Sequence, residues 1–507
     1  MRLRGYEWGM PQHDDRHTRA PYAQALHLNA QQGWTRLGVP GHQDQPANYP
    51  ALNSLAGGHL LAMDIPMFTQ GVDLPAAGAS GASPLQEALE LAADAWGAKR
   101  TWFLTNGASQ GNHAACLALR GLSAHVVAQR SVHTSVIDGA ILAGLSLEFV
   151  NPNIDVALGI AHGITPTALD TALAMHPGAA AAYVVTPSYF GAVSDVREFS
   201  VIAHRHGVPL VVDEAWGSHF GFHPSLPTSA LANGADLVIS STHKLAGSLS
   251  QSAMLHLGHG PFAELLEFRV NRALLTLQTT SPSAILFGSL DLARRDLYYL
   301  SHDRIQASIN DVNLARALLA EGGRFVDPSP AMLASPDVIA LDPLHLVVDT
   351  SSGGVPGFEA RALLEASSRI HVEMATDSVI VAIVGAGSRL DAGFLVDALH
   401  ALPEPDSKSP RQRVRQPIIL PPTGPRARDV REAYFADAEV VPAAQAIGRI
   451  SGDTLAAYPP GVANVLPGEV ITSEVVQFLQ ATAQAPYGWV RGAVDAGVEH
   501  LRVLLEK

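Results

Sequence analysis

The stretch DLVISSTHKLAGSLSQ, residues 236–251, joins an apolar run typical of a buried strand to a lysine that follows small hydroxyl residues. More apolar residues come after Lys244, so a freely solvated side chain is not expected there. Partial burial lowers the pKa of an amine, and a neutral amine attacks carbonyl carbons. The stretch therefore predicts a buried strand whose carboxyl end presents a reactive lysine. A surface lysine at the start of a helix is the alternative.

Similar apolar runs recur upstream of this stretch, and segments with helical periodicity separate them. The runs are TWFL (101–104), AAYVVT (181–186) and PLVVD (209–213), and the helical segments include 85–98 and 194–206. Short buried strands that alternate with helices predict an α/β fold with a mainly parallel sheet covered on both faces. In such sheets ligands bind beyond the carboxyl ends of the strands, so the residues there are the candidates for function.

The composition narrows the class of protein. The 507 residues include 33 Lys and Arg against 47 Asp and Glu, a formal charge of -14, and 47% are hydrophobic. This composition excludes wholesale disorder and argues against a general nucleic-acid binder, which needs a basic surface. The single cysteine, Cys116, excludes a disulfide framework and a multi-cysteine metal site. The first residues lack the apolar core of a signal peptide, and no apolar run reaches about 18 residues, so we expect a cytoplasmic protein without a membrane partner.

The chain divides into several predicted units. A second α/β segment contains the strand candidates LHLVVDT (344–350) and SVIVAIVG (378–385), and a region rich in Pro and Arg follows it. Such a region marks a domain boundary or an extended arm. The predicted units are an N-terminal segment (1–60), a major domain (61–305), a small α/β domain (306–402), a linker or arm (403–428) and a C-terminal domain (429–507).

Three further residues follow strand-like runs of the major domain. Asp213 ends PLVVD, where a carboxylate meets a ligand cation or caps a helix. Ser109, in TNGASQG, begins a predicted helix whose N–H groups bind anions. The same GASQG segment matches the nucleophile elbow of α/β-hydrolases, with Asp213 and either His219 or His243 completing the order Ser, Asp, His. His133 follows AHVVAQR and is a candidate for stacking on an aromatic ligand, or is an ordinary turn histidine.

The order of these residues matches the demands of pyridoxal phosphate. Its phosphate needs a helix N-terminus, its ring nitrogen a carboxylate, its aldehyde a lysine and its ring face a flat partner. Ser109, Asp213, Lys244 and His133 answer these four demands at the strand ends of one predicted sheet. Four matched demands are far less frequent by chance than any single one.

At this point the chain resembles the Orn/Lys/Arg decarboxylase family of fold-type I pyridoxal-phosphate enzymes. The resemblance spans nearly the whole chain. The length of the chain is similar to that of the short family members, which lack an amino-terminal wing domain. The motifs that carry it are VPGHQ (39–43), TNGASQGNHAA (105–115), RSVHTSV (130–136), TPSYFG (186–191), VVDEAWGSHF (211–220), SSTHKLAGSLSQSAMLH (240–256), TTSPS (279–283) and AAYPPGVANVLPGE (456–469).

The resemblance implies a role for each matched residue. Lys244 forms the Schiff base with the cofactor, Asp213 pairs with the ring nitrogen, and His133 and Ala215 lie on the two ring faces. Lys244 or His243 returns the proton to the α-carbon. The implied phosphate ligands are Ala108, Ser109, Gln110, Ser241, His243 and, from a partner subunit, Thr280. The smallest active unit is then a homodimer. Ala108 departs from the family, which often has Ser or Thr there, so Gln110 or backbone amides replace the missing hydroxyl.

The implied reaction is decarboxylation of arginine, lysine or ornithine to the corresponding amine, with no metal. Arginine is slightly favoured because short family members often act on it. Glu469 and Tyr458 are candidates for the substrate's distal cation, and a structural role is the alternative for each. Two other enzyme classes stay open. An aminotransferase or lyase would use the same cofactor, with Arg389 as a possible carboxylate clamp, and a Ser109 hydrolase would need none.

Overall fold

The computed structural model describes residues 16–65, 83–299, 301–404, 420–458, 462–485 and 488–505. Within these ranges, the N-terminal segment is helical and packs on the major domain. Its helices are α1 (Pro21–Gln31), α2 (Pro50–Ala56) and α3 (Gly58–Met63). Pro21 begins α1, and the buried Asp291 accepts hydrogen bonds from the first free backbone N–H groups of that helix, Tyr22 at 2.9 Å and Ala23 at 3.3 Å.

A seven-stranded sheet forms the centre of the major domain. Its strands are β1 (Arg100–Leu104), β2 (His125–Gln129), β3 (Ser146–Val150), β6 (Ala182–Val185), β8 (Leu210–Asp213), β9 (Leu237–Ser240) and β10 (Ala253–Leu257). The short hairpin β4 (Ile154–Asp155) and β5 (Ile160–Ala161) and the strand β7 (Ala192–Val193) lie outside it. The spatial order is β1-β10-β9-β8-β6-β2-β3. Only β10 runs antiparallel to its neighbours, which confirms the predicted mainly parallel sheet.

Helices cover both faces of this sheet. They are α4 (Pro84–Trp96), α5 (Gly107–Arg120), α6 (Thr134–Ala143), α7 (Pro166–Met175), α8 (Val196–Arg205), α9 (Thr242–Leu245), α10 (Ala263–Leu277) and α11 (Ala284–Tyr299). Alternation along β8 sends Leu210 and Val212 into one hydrophobic core and Val211 into the other. Because both faces are buried, the strands read as continuous apolar runs.

The small domain begins within a long helix. Its helices are α12 (Ser301–Gly322), α13 (Ser329–Leu333), α14 (Gly357–Leu363) and α15 (Ala392–His400). Its strands are β11 (Ala340–Leu341), β12 (His345–Asp349), β13 (Met374–Ala375) and β14 (Val379–Ile383). The three-stranded sheet β12-β14-β13 is antiparallel. The boundary predicted at 306 falls inside α12, because a helix that continues from one domain into the next leaves no break in the sequence pattern.

The C-terminal domain is built on two small antiparallel sheets. Its helices are α16 (Val430–Tyr434), α17 (Ala443–Ala446) and α18 (Ser473–Gln484). Its strands are β15 (Ala438–Pro442), β16 (Leu455–Tyr458), β17 (Ala463–Val465), β18 (Trp489–Arg491) and β19 (His500–Leu504). Most of the region 403–428 lies outside the described residues. In its last part Arg426 pairs with Glu148 at 2.5 Å and donates to the carbonyl of Leu147, so this part lies on the major domain.

A buried ion pair joins the C-terminal domain to the major domain. Arg130 donates two hydrogen bonds to the carboxylate of Glu469, at 2.9 and 2.8 Å, and its Nε donates to the carbonyl of Ala463 at 3.0 Å. The guanidinium also lies 5.0 Å from the centroid of the Phe149 ring. Both charged side chains are more than nine-tenths buried, so each depends on the other for its charge to be tolerated.

In the part of the chain that the structure describes, every helix is too short or too polar to cross a lipid bilayer.

We expect Glu469→Ala to lower the free energy of unfolding by about 3–5 kcal/mol, because it leaves the Arg130 cation buried and unpaired. Urea unfolding monitored by circular dichroism measures the change. The matched control is Glu439→Ala, whose carboxylate pairs with Arg449 at 2.8 Å but is 45% exposed. The control should change the free energy by less than about 1 kcal/mol. Equal effects of the two substitutions would show that the buried pair does not hold the domains together.

Candidate active site

The predicted site residues lie at one edge of the central sheet. Asp213 is the last residue of β8, and Lys244 lies in α9, directly after β9. His133 precedes α6, which follows β2, and Ser109 lies in the first turn of α5, which follows β1. These four strands run in the same direction, so their carboxyl ends meet at the same edge. The fold therefore brings together residues that are up to 135 positions apart in the sequence.

The start of α5 has the features of an anion site. Its N-cap residue, Asn106, makes no capping hydrogen bond through its side chain. Gly107 has a φ of 67°, which glycine adopts without strain, and its N–H donates to the carbonyl of Gln251 at 2.7 Å. Within the described residues, the backbone N–H groups of Ala108 and Ser109 donate no hydrogen bond. Free N–H groups at a helix start attract a phosphate.

Gln110 braces this turn. Its side-chain oxygen accepts from the N–H of Asn106 at 3.1 Å, and its side-chain nitrogen donates to Gln278. Gln278 in turn donates to the hydroxyl of Thr105 at 3.3 Å. Both polar ends of the Gln110 side chain thus have a protein partner in this structure, and its role as a phosphate ligand stays a prediction. Backbone N–H groups are left to replace the hydroxyl that Ala108 lacks. Thr280, two residues after Gln278, is exposed.

Asp213 is a buried carboxylate held by neutral donors. Its Oδ2 accepts from the side-chain amide of Asn112 at 2.9 Å, and its Oδ1 accepts from the N–H of Ala215 at 3.1 Å. Asn112 also donates to the hydroxyl of Ser135 at 2.8 Å and accepts from the hydroxyl of Tyr183 at 2.8 Å, so its orientation is fixed. Only 2% of Asp213 is exposed, and no cation of the described residues lies within ion-pair distance of it. A buried anion in this state calls for a cation from a ligand.

His133 is held as a neutral ring. Its Nδ1 accepts from the N–H of Ser135 at 3.2 Å and lies 2.8 Å from the Ser135 hydroxyl. Burial is the main cause that lowers the pKa of His133; the charges of Lys244 and Arg491 act in the same direction, and Asp213 opposes them. A neutral, planar and immobilised ring suits stacking against a flat ligand.

Lys244 has the environment of a reactive amine. Burial lowers its pKa to about 8, although the carboxylates of Asp213 and Glu373 oppose the shift. Its Nζ lies 3.7 Å from the centroid of the Trp216 ring. A lysine of this kind has a larger neutral fraction near pH 7 than an exposed one, as attack on an aldehyde requires.

Ser241 and His243, which the sequence also predicted as phosphate ligands, lie beside Lys244 in the chain and have protein partners of their own. The carbonyl of Ser241 accepts from the Lys244 N–H at 3.0 Å. Nδ1 of His243 donates to the carbonyl of Ser252 at 2.7 Å, and a carbonyl only accepts, so Nδ1 carries the proton. Nε2 of a neutral His243 is then left as an acceptor.

The residues present fit pyridoxal phosphate. Among the described residues, the first N–H groups of α5 have no acceptor, Asp213 has no ion-pair partner, and the Lys244 amine has a lowered pKa. In addition, the buried hydroxyls of Thr134 and Thr242 have no hydrogen-bond partner among the described residues. Such orphaned groups mark places where a polar ligand compensates. Among the described residues, no group of three or more His, Cys, Asp or Glu side chains is arranged so that it could hold a metal ion.

Sequence reasoning missed three residues that shape the site, namely Asn112, Ser135 and Trp216. Asn112 stands one helical turn after Ser109. This spacing puts both residues on the same face of the helix and was the signal that could have identified Asn112. Trp216 stands three residues after Asp213, in a turn whose path no periodicity defines. Ser135 follows His133 by two residues, the spacing at which a side chain meets a following N–H group.

Other candidates lie elsewhere. Both carboxylate oxygens of Glu469 are taken by Arg130, which is the structural alternative for this residue. The backbone of Tyr458 pairs with Trp489, but its side chain lies outside the described residues. Arg389 does not clamp a substrate in this structure, because it is 71% exposed and binds Asp311 at 2.6 and 3.0 Å.

The hydrolase hypothesis is wrong because its histidines have other partners. His219 pairs with Asp342 at 3.1 Å, and His243 binds the carbonyl of Ser252. Among the described residues, neither histidine forms a hydrogen bond with Ser109 or with Asp213.

Comparison with known proteins agrees with this geometry. The model of the Orn/Lys/Arg decarboxylase major domain matches residues 20–389, and the model of the corresponding C-terminal domain matches residues 424–487. The arginine decarboxylase of Bacillus subtilis (strain 168) is 32% identical over 499 residues, which cover 98% of this chain and 99% of that protein. The arginine decarboxylase of Halalkalibacterium halodurans is 31% identical over 492 residues, 97% of this chain and 99% of that protein.

A solved structure shares the fold. Lysine decarboxylase A from Pseudomonas aeruginosa superposes with a TM-score of 0.78 at 21% identity, over 97% of this chain and 81% of that one. The two matched domains and the arginine decarboxylase relatives make the protein an amino-acid decarboxylase, and the structural likeness gives its fold-type I architecture. The chain belongs to the Orn/Lys/Arg decarboxylase family.

Proposed function

We propose that this protein decarboxylates a basic amino acid with pyridoxal phosphate, and that arginine is its substrate. The observation that carries the proposal is the buried Asp213 carboxylate, which has no ion-pair partner among the described residues and acts on a nearby amine of lowered pKa, that of Lys244. The relatives that match over their full length are arginine decarboxylases, which supports arginine over lysine and ornithine. The product is then agmatine, a polyamine precursor, and we place the reaction in the cytoplasm.

The electrostatics also favour a cationic substrate. The carboxylate of Glu373 raises the pKa of the Lys244 amine, so its field reaches the reactive nitrogen. Glu373 is exposed, and no cation among the described residues pairs with it. The chain as a whole carries a formal charge of -14, which attracts cations over long range.

Lys244 and Asp213 would bind the two reactive groups of the cofactor, its aldehyde and its ring nitrogen. Lys244 would bind the aldehyde carbon covalently until the substrate amine replaces it. Asp213 would accept a hydrogen bond from the ring nitrogen and keep it protonated, with Asn112 and the Ala215 N–H orienting the carboxylate. When bound, pyridoxal phosphate supplies an electron sink for the charge that remains on the α-carbon after carbon dioxide leaves.

The remaining residues would bind and orient. His133 and Ala215 would contact the two ring faces. The N–H groups of Ala108 and Ser109 would hold the phosphate. Ser241 and His243 of the same chain, and Thr280 of a second copy, would complete the phosphate site. Thr280 is exposed on a loop between α10 and α11, which supports a homodimer.

One proton must return to the α-carbon in each turnover. Lys244 and His243 are the candidates in this chain, because both carry an exchangeable proton at the same strand end. Loss of carbon dioxide followed by protonation consumes one proton from solution in each cycle.

We expect the purified protein to be yellow and to be bleached by borohydride, because a lysine-bound aldehyde absorbs visible light. Lys244→Ala should abolish the covalent attachment of the cofactor by borohydride and lower decarboxylation by at least about 10³-fold. Mass spectrometry of the borohydride-treated protein and a carbon dioxide release assay measure both effects. Lys99→Ala is the control, since Lys99 pairs with Glu267 on the surface. Covalent attachment of the cofactor to the Lys244→Ala protein would exclude Lys244 as the binding residue.

We expect Asp213→Asn to keep the fold and the colour but to lower kcat by at least about 100-fold. The amide preserves the shape and still accepts a hydrogen bond, but it no longer stabilises a proton on the ring nitrogen. The measurement is kcat together with the absorption maximum of the bound cofactor. The neighbour Glu214 serves as a comparison. Burial raises its pKa to about 8, so it is largely neutral at pH 7, and Glu214→Gln should change kcat little.

We expect carbon dioxide release from arginine to exceed release from lysine and ornithine by at least about tenfold in kcat/KM. Parallel assays with carboxyl-labelled substrates measure the ratio, and chromatography identifies agmatine. Preference for lysine or ornithine would correct the substrate and leave the reaction class standing. A keto-acid product from any of the three would indicate transamination instead.

A further inference from the structure

Two aromatic rings form a corner around the amine of Lys244. Its Nζ lies 3.7 Å from the centroid of the Trp216 ring and 5.8 Å from that of Tyr189. The two rings are 5.4 Å apart and inclined at 58°. We call Trp216 and Tyr189 the aromatic corner. A cation above the face of an indole is attracted by the ring quadrupole, and more strongly when water is excluded.

The aromatic corner is supported from behind by charged groups of the small domain. The His345 ring packs edge-on against Trp216, with centroids 6.0 Å apart and planes at 73°. Nδ1 of His345 lies 2.8 Å from the Asp342 carboxylate, which also pairs with His219 at 3.1 Å. All three side chains are buried. The charges of the two histidines hold the pKa of Asp342 well below its usual range.

This His–Asp–His bridge connects the two domains at the site. His219 belongs to the major domain and follows Trp216 by three residues, whereas Asp342 and His345 belong to the small domain. Gly191 packs directly on His345, because a Cβ there would lie 2.9 Å from the ring. The position of the Trp216 ring is therefore determined by contacts from both domains.

We infer that Trp216 is a positioning residue that holds the ammonium of Lys244 whenever this lysine is not bound to the cofactor. The inference rests on the proposed role of Lys244 as the cofactor-binding residue. If the substrate displaces Lys244 during turnover, the released amine would need a defined place near the reacting atoms. The aromatic corner would supply that place at a ring face, whereas among the described residues no carboxylate lies within ion-pair distance of the amine, and Asp213 and Glu373 act on it only from farther away.

The aromatic corner acts against desolvation. Burial lowers the pKa of Lys244 to about 8, and the ring favours the charged form, so the ring keeps a proton on Nζ at neutral pH. A protonated amine beside the site is able to donate to the α-carbon. The carboxylates of Asp213 on β8 and of Glu373 in the small domain also act on Lys244, and the charge of Lys244 lowers the pKa of His133. The other titratable groups around it are its sequence neighbour His243 and, behind Trp216, Asp342 with its two histidines.

The test measures the pKa of Lys244 in the full-length protein after removal of the cofactor. Acetic anhydride labels neutral amines, and mass spectrometry of the peptide that contains Lys244 gives the labelling rate between pH 6 and 10. For the unmodified protein we expect an inflection near pH 8. For Trp216→Leu we expect a fall of about one unit, a tenfold change in the protonation equilibrium, about 1.4 kcal/mol.

Trp216→Phe separates the cation contact from simple packing. Phenylalanine retains a ring with a weaker quadrupole, so the pKa should fall by about half as much as in Trp216→Leu. It also preserves more of the buried volume, which keeps the test valid if the leucine variant does not fold. The control is Trp102→Phe, whose ring carries the Arg100 guanidinium at 5.2 Å on β1, and it should leave the pKa of Lys244 unchanged.

An unchanged inflection in both Trp216 variants, or equal shifts in Trp216→Phe and Trp216→Leu, would overturn the inference. The result is independent of the proposed reaction, because the labelled protein holds no cofactor and turns over no substrate. If borohydride still attached the cofactor covalently to Lys244→Ala while the labelling shifts were found, the proposed role of Lys244 in the reaction would fail and the aromatic corner would stand.

Discussion

The site depends on one buried charge, the Asp213 carboxylate at the end of β8. It is removed from water, its hydrogen-bond donors within the described residues are neutral, and it has no ion-pair partner among them, although the charge of Lys244 acts on it from a longer distance. Such a group is costly unless a ligand brings a cation. The chain keeps the carboxylate in place with Asn112, which is itself held by Tyr183 and Ser135. Ser135 also binds His133, so a single hydrogen-bond network orients both the anion and the flat ring.

The same hydrogen-bond network joins three elements of the major domain at the edge of its sheet. Asn112 comes from α5, Ser135 from α6 and Tyr183 from β6, and each follows or lies in a different strand of the parallel sheet. A network of this kind orients its members only when all are satisfied, because an unpaired buried polar group destabilises the fold. The polar centre of the site is thus also a structural joint of the major domain.

Two further contacts connect this centre to the other domains. The buried pair of Arg130 and Glu469 joins the C-terminal domain three residues before His133. The His–Asp–His bridge joins the small domain three residues after Trp216. Both contacts are formed by charged groups in low-dielectric surroundings, where geometry is narrowly defined. Each domain therefore contributes to the position of a side chain that faces the amine of Lys244 or the carboxylate of Asp213.

The amino-acid sequence by itself determined the fold class and the central residues. The strands that lead to Asp213 and Lys244 contain the continuous apolar runs 210–212 and 237–239, as strands buried on both faces of a sheet do, so the parallel sheet and its active edge were predictable. Glycine and small residues after β1 likewise indicated an anion site, because a helix start exposes N–H groups wherever it occurs. These properties are local, and a short stretch of sequence contains them.

Only the tertiary structure decided which long-range partners these residues have. The sequence left two roles open for Glu469, a contact with the substrate and a structural carboxylate. Its pairing with Arg130, which lies 339 positions earlier in the chain, depends on how the C-terminal domain packs on the major domain. The contact of Gln110 with Gln278 also joins residues far apart in the chain, and its predicted role at the phosphate stays a prediction. Trp216 lies within a matched motif, but no pattern in the sequence placed its ring against Lys244 or against His345 of another domain. Periodicity reports which face of an element is buried, whereas the partner across a domain boundary is set by how separate units pack.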